Sequence, residues 1–239
     1  MIRMLALLLL LPFAARAQER VDLPARPGVM QPVYVTAAAK PVASMVLFPG
    51  GSGVVAAVRN NFLLRIVPDL VAQGFTVAVA DVPSDMPGGM TPPFRAGSAH
   101  AQDIAAIVAM LKARAAVPVW LIGTSRGSIS AANGGAVPGV AGVVLTSSVW
   151  RHGMALTAAE QIRAPVLIVH NRDDGCSESP FDEVEPFRAR LTQARPVQVI
   201  AVSGGTSRSG PCQALSPHGY LGIESQVVIP IAGFIRGTH

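Results

Sequence analysis

The sequence has little charge, few aromatic side chains and no cluster of basic residues. Of its 239 residues, 14% are charged and 5% are aromatic, whereas 50% are hydrophobic. Disordered chains combine high charge with low hydrophobicity, so this composition excludes extensive disorder and indicates a globular chain with a sizeable core. The formal net charge of +5 is not concentrated in a basic run, and we therefore expect no nucleic-acid partner.

The sequence also has no apolar run of the roughly 20 residues that a membrane-spanning helix requires. A shorter apolar run, residues 4–11, follows a basic residue and precedes the small-residue pattern Ala15-Arg16-Ala17. This layout is typical of a secretory signal, so we predict that residues 1–17 are a cleaved signal peptide and that residues 18–239 form a single domain. The mature protein would be periplasmic or secreted, without stable membrane insertion.

Cysteine is nearly absent, because the chain contains only Cys176 and Cys212. In an exported chain an isolated pair is typical of a disulfide, whereas in the cytosol the same pair would indicate two thiols or half a metal site. Both possibilities stay open until the residues around the two cysteines are considered.

Short apolar runs alternate with longer stretches of helical spacing. The runs are apolar throughout, which is typical of strands covered by helices on both faces. This alternation predicts an α/β fold, a three-layer sandwich with a mostly parallel central sheet. We predict that the proline-rich residues 21–32 are an irregular arm and that residues 33–36 are an edge strand. The other predicted strands are 44–48, 75–80, 117–122, 140–147, 165–170 and 196–202, and the predicted helices lie within 60–74, 99–115, 128–136, 181–194 and 224–235.

The tetrapeptide Gly-Thr-Ser-Arg occurs twice, at residues 123–126 and 205–208. The first copy ends a predicted buried strand, is completed to Gly-x-Ser-x-Gly by Gly127 and opens a predicted helix, which is the arrangement of a nucleophile elbow. The second copy has a serine in place of the last glycine and lies in a stretch without strand or helix periodicity. We therefore predict that Ser125 is a nucleophile and that Ser207 is a turn residue.

With this elbow, the chain resembles the α/β-hydrolase superfamily in its small, capless, esterase and dienelactone-hydrolase-like form. The resemblance covers nearly the whole chain after the signal peptide, and it implies a triad in the order nucleophile, acid, histidine. Family members often read His-Gly-x-x-Asp at the acid, which aligns with residues 170–174 and favours Asp174 as the acid. Asp173 remains an alternative, and one of the two aspartates would only cap the loop.

The resemblance also implies the base and the oxyanion donors. Family members often show His-Gly-Phe or His-Gly-Tyr at the base, which matches His218 and the two residues after it. Oxyanion donors are expected from the backbone N–H of Arg126 and from the loop 47–53, where Gly51 is the expected donor and Ser52 the alternative. The family commonly has His-Gly at the start of that loop, whereas this chain has Pro-Gly.

The positions of the two cysteines then favour a disulfide. Cys176 lies two residues after Asp174, and Cys212 lies six residues before His218. If the carboxylate and the imidazole form a hydrogen bond, their loops lie side by side, so we predict a Cys176–Cys212 disulfide that joins the acid and histidine loops. The alternative is a pair of free thiols.

These features predict an exported serine hydrolase that cleaves a small-molecule carboxylic ester through an acyl-enzyme, without metal or organic cofactor. Thioester, lactone or peptide hydrolysis would use the same residues, and the alternative function is a catalytically silent envelope binding protein. The stretch 81–94 follows a predicted strand, so we expect Met86, Met90 and Phe94 to form an apolar wall of the pocket, and the alternative is that they only pack the loop. The sequence leaves the natural substrate and the oligomeric state open.

Overall fold

The computed structural model describes residues 17–149 and 153–238, without the side chains of residues 153–156. The predicted signal peptide lies outside these residues except for Ala17. The described chain forms one eight-stranded sheet of strand order β1-β2-β4-β3-β5-β6-β7-β8. The strands are β1 (Glu19–Arg26), β2 (Val29–Thr36), β3 (Ala43–Phe48), β4 (Phe75–Ala80), β5 (Val119–Thr124), β6 (Val140–Thr146), β7 (Val166–Asn171) and β8 (Val197–Val202).

Helices cover both faces of this sheet. They are α1 (Phe62–Arg65), α2 (Val67–Ala72), α3 (Pro92–Ala96), α4 (Ser98–Arg114), α5 (Gly127–Gly134), α6 (Gly153–Glu160), α7 (Val184–Arg190) and α8 (Glu224–Gly237). One core lies between the sheet and helices α4 to α7, and the other between the sheet and helices α1, α2 and α8. Strands β3 to β7 are buried at nearly every position because both faces are covered. The predicted three-layer α/β fold is confirmed.

The amino-terminal segment differs from the prediction. Residues 21–32 are not an irregular arm, because β1 and β2 form an antiparallel hairpin around a turn at Pro27-Gly28, with Gly28 at φ 72°. Residues 33–36 are not an edge strand, because β2 pairs with both β1 and β4. The proline content misled the prediction: Pro24 lies in the outermost strand beside an irregularity in register, where a missing N–H is tolerated.

Strands β3 to β8 run parallel, so their carboxyl ends meet at one edge of the sheet. Loops that follow β3, β5, β7 and β8 gather there, and functional side chains are expected at this edge. Among the described residues, no helix is long and apolar enough to cross a membrane.

Candidate active site

The first Gly-Thr-Ser-Arg copy forms a sharp turn between β5 and α5. Ser125 has φ 53°, a left-handed conformation that is rare for a residue with a side chain. A Cβ atom on Gly123 would lie 2.3 Å from the carbonyl oxygen of Gly127, and one on Gly127 would lie 1.9 Å from the carbonyl oxygen of Phe48. Gly123 is therefore needed for β5 and α5 to pack this closely, and Gly127 for α5 to pack against the end of β3. Ser125 is left at the tip of the turn.

The loop after β3 lies directly against this serine. A Cβ on Gly50 would lie 2.8 Å from the Cβ of Ser125 and 3.0 Å from the carbonyl oxygen of Thr124. Gly51 follows with φ 61°. Among the described residues, neither the Gly51 N–H nor the Arg126 N–H donates a hydrogen bond to the protein. The two amides expected as oxyanion donors are thus on the two segments that meet at Ser125.

An aspartate and a histidine from two other loops form a buried pair. The Nδ1 atom of His218 lies 2.8 Å from Oδ2 of Asp174, and both residues are buried. The loop after β7 supplies Asp174, and the short 3-10 helix Pro217–Gly219 after β8 supplies His218. The other candidate acid, Asp173, instead accepts a hydrogen bond from the backbone N–H of Gly204, so Asp174 is the carboxylate that contacts the imidazole.

Two residues that the sequence analysis did not select surround this pair. The hydroxyl of Ser179 donates to Oδ2 of Asp174 at 2.9 Å, and its Oγ lies 3.1 Å from Nδ1 of His218. Nε2 of His170 lies 2.9 Å from the carbonyl oxygen of Ser179 and 3.6 Å from Oδ2 of Asp174. Burial lowers the pKa of His170 despite the nearby carboxylate. Ser179 lacked a sequence signal because it is one of several serines in an irregular loop.

The histidine loop is held by contacts from Ser147, the residue after β6, and from α1. Ser147, at φ 41°, donates through its hydroxyl to the carbonyl oxygen of His218 at 2.7 Å. The phenol of Tyr220 accepts from the N–H of Ser147 at 2.9 Å and donates to the carbonyl oxygen of Val169 at 2.8 Å. Burial raises the pKa of Tyr220, so the phenol is a donor in this bond. Arg65 donates to the carbonyl oxygen of Gly219 at 2.5 Å.

A disulfide between Cys176 and Cys212 joins the acid loop to the histidine loop. The backbone N–H of Cys176 also donates to Oδ1 of Asp174 at 2.9 Å. Cys176 is buried beside the carboxylate, whereas Cys212 is exposed and lines the same cleft as the histidine. The covalent bond therefore lies beside the acid–histidine pair, where the sequence predicted it.

Ser125 and His218 face one cleft of about 460 Å³. No hydrogen bond joins Ser125 Oγ to the imidazole, and Nε2 of His218 is buried without a hydrogen-bond partner among the described residues. In unliganded sites such bonds are often long and tighten only when substrate binds. The other cleft residues come chiefly from the segments before α1 and after β8: Ala56, Ala57, Val58, Arg59, Asn60, Asn61, Phe62, Ser209, Gln213, Ala214 and Leu215.

The prediction that residues 81–94 form an apolar wall of the cleft is wrong. None of these residues lines the cleft. Met90 is buried against the far side of the loop after β3, where its Cε lies 2.9 Å from the Cβ position of Gly53. Phe94 packs beside His100, with ring centroids 5.5 Å apart. The stretch does follow β4 at the carboxyl edge of the sheet, as its position in the sequence indicated. It packs against the loop after β3, however, and not into the cleft.

The second Gly-Thr-Ser-Arg copy lies in an exposed loop. The hydroxyl of Ser207 donates to the carbonyl oxygen of Ser209 at 3.0 Å, a bond within the same loop. Ser207 has no left-handed backbone, and no strand or helix borders it. This agrees with its interpretation as a turn residue.

Comparisons with known proteins show what this architecture resembles. No protein-family profile matches the sequence, and no curated protein matches it. Solved structures do match. An esterase from Pyrococcus furiosus is 14% identical, with a TM-score of 0.69 and coverage of 92% of both chains. A dienelactone hydrolase from Anabaena variabilis is 14% identical, with a TM-score of 0.71 and coverage of 92% of this chain and 97% of the other.

A third solved structure, from Xanthomonas campestris, is described as an α/β serine hydrolase without a lid. It is 14% identical, with a TM-score of 0.63 and coverage of 95% of both chains. In the described part of this chain, residues 147–149 and 153–165 between β6 and β7 contain α6 and no inserted domain. The chain therefore has the α/β-hydrolase fold, without a cap domain in its described residues.

Proposed function

We propose that the protein is a serine hydrolase that cleaves a carboxylic ester or a related acyl bond. The observation that carries this proposal is the convergence, in one cleft, of a serine on a strained elbow with a histidine whose Nδ1 binds a buried carboxylate. The solved esterases and serine hydrolases that share the fold support the same reaction class. Ser125 is the proposed nucleophile, His218 the base and Asp174 the acid.

In the proposed mechanism, Ser125 Oγ attacks the ester carbonyl while Nε2 of His218 takes the hydroxyl proton. Asp174 accepts the hydrogen bond from Nδ1–H, which fixes the tautomer that leaves Nε2 free to accept a proton. The imidazolium then protonates the departing alcohol, and an acyl-enzyme remains. Water, deprotonated by the same imidazole, attacks the acyl carbon, and Ser125 leaves with its proton restored.

The negative oxygen of each tetrahedral intermediate needs donors that do not have to reorganise. The proposed donors are the backbone N–H groups of Gly51 and Arg126, because they lie on the segments that meet at Ser125. The same arrangement serves esters, thioesters and lactones, and a cleft of about 460 Å³ suits a small-molecule substrate. The reaction as written uses no metal or organic cofactor.

We further propose that the protein is exported. Two observations support this: the signal-like residues 1–17, and the disulfide, because disulfides persist mainly in oxidising compartments. Expression of the full chain in a bacterial host, followed by intact-mass measurement of the periplasmic or secreted form, is expected to give a protein that begins at Gln18. A full-length chain retained inside the cell would contradict the proposal.

The test of the proposed activity is labelling of residues 18–239 by a fluorophosphonate probe, which reacts with activated serines. Wild type, Ser125→Ala and Ser207→Ala are compared, and each is assayed on p-nitrophenyl butyrate. Label and turnover lost only in Ser125→Ala would support the proposal. Absence of label in every form would contradict it and favour the alternative, a binding protein that retains a hydrolase fold.

A further inference from the structure

Arg95, in α3, is a fully buried cation. Its Nη1 donates to the hydroxyl of Ser130 at 2.9 Å, and its Nη2 donates to the carbonyl oxygens of Pro49 at 3.2 Å and Gly51 at 3.4 Å. Within the described residues, Nε has no hydrogen-bond partner and no carboxylate pairs with the guanidinium. The cation is therefore held by a hydroxyl and two backbone carbonyls alone.

A buried charge without a counter-ion is destabilising, so a purely structural core position would favour an apolar side chain of similar volume. Burial, followed by the nearby positive charge of Arg126, lowers the pKa of Arg95 to about 9. At neutral pH the guanidinium thus remains protonated. The protein retains a cation where its own stability does not benefit from one.

All three acceptors of Arg95 belong to segments of the candidate active site. Pro49 and Gly51 lie in the loop after β3, and Ser130 lies in α5, the helix that begins directly after the elbow. This loop also packs onto the guanidinium, because a Cβ on Gly53 would lie 2.6 Å from Nη2. Arg95 therefore joins the loop after β3 to α5 without lining the cleft.

The geometry of the loop shows what these bonds fix. In a trans peptide unit the C=O and the following N–H point in opposite directions. The N–H of Gly51 belongs to the unit whose oxygen, on Gly50, accepts from the N–H of Gly53 at 3.2 Å. Arg95 holds the oxygens of the units on either side, those of Pro49 and Gly51. The three consecutive peptide planes that contain both candidate oxyanion donors, Gly51 and Ser52, are thus fixed.

We propose that Arg95 is a positioning residue for the oxyanion hole: its guanidinium fixes the peptide units whose oxygens belong to Pro49 and Gly51, and so holds the unit between them with the Gly51 N–H facing the reacting carbonyl. Its charge also polarises the two carbonyls that it binds, which strengthens the N–H groups of the same peptide units, those of Gly50 and of the alternative donor Ser52. This inference rests on the proposed serine-hydrolase function. Arg95 itself does not line the cleft, so it acts through the loop.

The experiment compares wild type with Arg95→Gln and Arg95→Lys, and Arg26→Gln serves as the matched control. Arg26 is also a largely buried arginine beside α3, with its guanidinium 5.7 Å from the ring of Phe94, but it pairs with Asp103 and Asp85 and does not contact the loop. Thermal unfolding verifies that each variant folds. Lysine keeps the charge, but its side chain is one atom shorter and has a single nitrogen, so it cannot bind Ser130 and the two carbonyls as the two terminal nitrogens of arginine do. It is the fallback if the glutamine variant does not fold.

The first readout is hydrogen exchange of the Gly53 amide, which donates to the carbonyl oxygen of Gly50 within this loop, and it does not require activity. Faster exchange is expected in both Arg95 variants and not in Arg26→Gln. The second readout is kinetic: kcat on p-nitrophenyl butyrate is expected to fall about tenfold or more, with KM nearly unchanged and weaker inhibition by a trifluoromethyl ketone, whose serine adduct carries the oxyanion.

Wild-type exchange rates in both Arg95 variants would overturn the proposal. Faster exchange with unchanged kcat and unchanged trifluoromethyl ketone affinity would overturn it as well, because the fixed planes would then be irrelevant to the oxyanion. If wild type has no turnover at all, the proposed hydrolase function fails, and with it the catalytic part of this inference, whereas the exchange result still decides whether Arg95 fixes the loop.

Discussion

At the residue scale, Ser179 joins the two partners of the proposed acid–base pair. Its hydroxyl donates to Asp174 and lies beside Nδ1 of His218 in a fully buried position. A hydrogen bond to a charged group contributes about 1.5–3 kcal/mol. We expect Ser179→Ala to lower kcat about tenfold, because the carboxylate loses a bond that fixes its orientation toward the imidazole.

The measurement for Ser179 is steady-state kinetics on p-nitrophenyl butyrate, with Ser207→Ala as the control. Ser207 also carries a hydroxyl that bonds locally, but it is exposed and makes no hydrogen bond to Asp174 or His218. Equal kcat values for Ser179→Ala and wild type would show that the hydroxyl does not contribute to the orientation of Asp174.

Gly50 is a second position where a small substitution is expected to alter the active site, because the loop that contains it lies directly against Ser125. An added Cβ would lie 2.8 Å from the Cβ of Ser125, so Gly50→Ala must displace the loop from the serine. Displacements of about 1 Å can lower rates about 100-fold, and we expect a loss of this order in kcat with little change in the melting temperature. Gly88→Ala is the matched control, because no atom of the described residues lies within 4 Å of a Cβ there. Similar kcat values for the two variants would refute the argument.

At the element scale, the disulfide links the loop after β7 to the loop after β8. The two cysteines are 36 residues apart, and closing a loop of this length stabilises a protein by about 4 kcal/mol in the chain-entropy model. We expect the double variant Cys176→Ala, Cys212→Ala to unfold at lower urea concentration and to label more slowly with the fluorophosphonate probe, since the acid and the histidine are no longer tied together.

Reductant provides the control for the disulfide. Cys212 is exposed, so reduction of wild type is expected to reproduce the behaviour of the double variant, whereas the double variant itself is unaffected by reductant. If wild type keeps its urea midpoint and its labelling rate after complete reduction, the loops are held by other contacts, such as those of Arg65 and Ser147.

The sequence predicted the inner elements well because their signals are local. Buried parallel strands are continuously apolar, and the nearly exact prediction of β4 and β7 follows from this property. Helix α1 and helix α2 were predicted as one helix, but Pro68 cannot donate to the preceding turn and the helix breaks at Ile66. The short helix α3 was missed, and with it Arg95, because its first residues, Pro92 and Pro93, indicated a loop.

The site was predictable only in part, for a physical reason. Ser125 stands out because an elbow needs glycines at fixed spacing. The resemblance to a family suggested the aspartate and the histidine, and the structure brings Asp174 and His218 within hydrogen-bond distance. Ser179 contacts Asp174 within one irregular loop, and Arg95 contacts residues 35 and 46 positions away in the chain. Neither kind of contact leaves a periodic or motif signal in one sequence.

At the scale of the whole molecule, we expect buried histidines to make the free energy of unfolding depend on pH. His100 is buried beside the rings of Phe48 and Phe94. Burial lowers its pKa from 6.5, and the charges of Arg95 and Arg26 lower it further, although nearby Asp103 acts in the opposite direction. The unfolded chain therefore binds more protons than the folded chain below pH 6.5. The stabilisation that neutral His100 contributes is expected to be complete above pH 6.5. The free energy of unfolding is expected to decrease as the pH falls toward the pKa of His100 in the folded state.

Urea unfolding at pH 7.5 and pH 5.0 measures this effect. In His100→Phe, whose ring fits among aromatic neighbours, the decrease between the two pH values is expected to be smaller than in wild type. His170, whose pKa burial also lowers, continues to contribute in that variant. Equal decreases in the two proteins would show that His100 is not a source of the acid sensitivity.

The covalent ring from Cys176 to Cys212 has a consequence for proteolysis. Arg208 lies inside this ring, on the exposed loop 203–210, and offers trypsin a cleavage site. A chain cut there would separate the proposed acid from the proposed base in sequence, yet the disulfide would still hold the two fragments as one molecule. Such a nicked protein would run as an intact chain on a non-reducing gel and come apart only when a thiol is added.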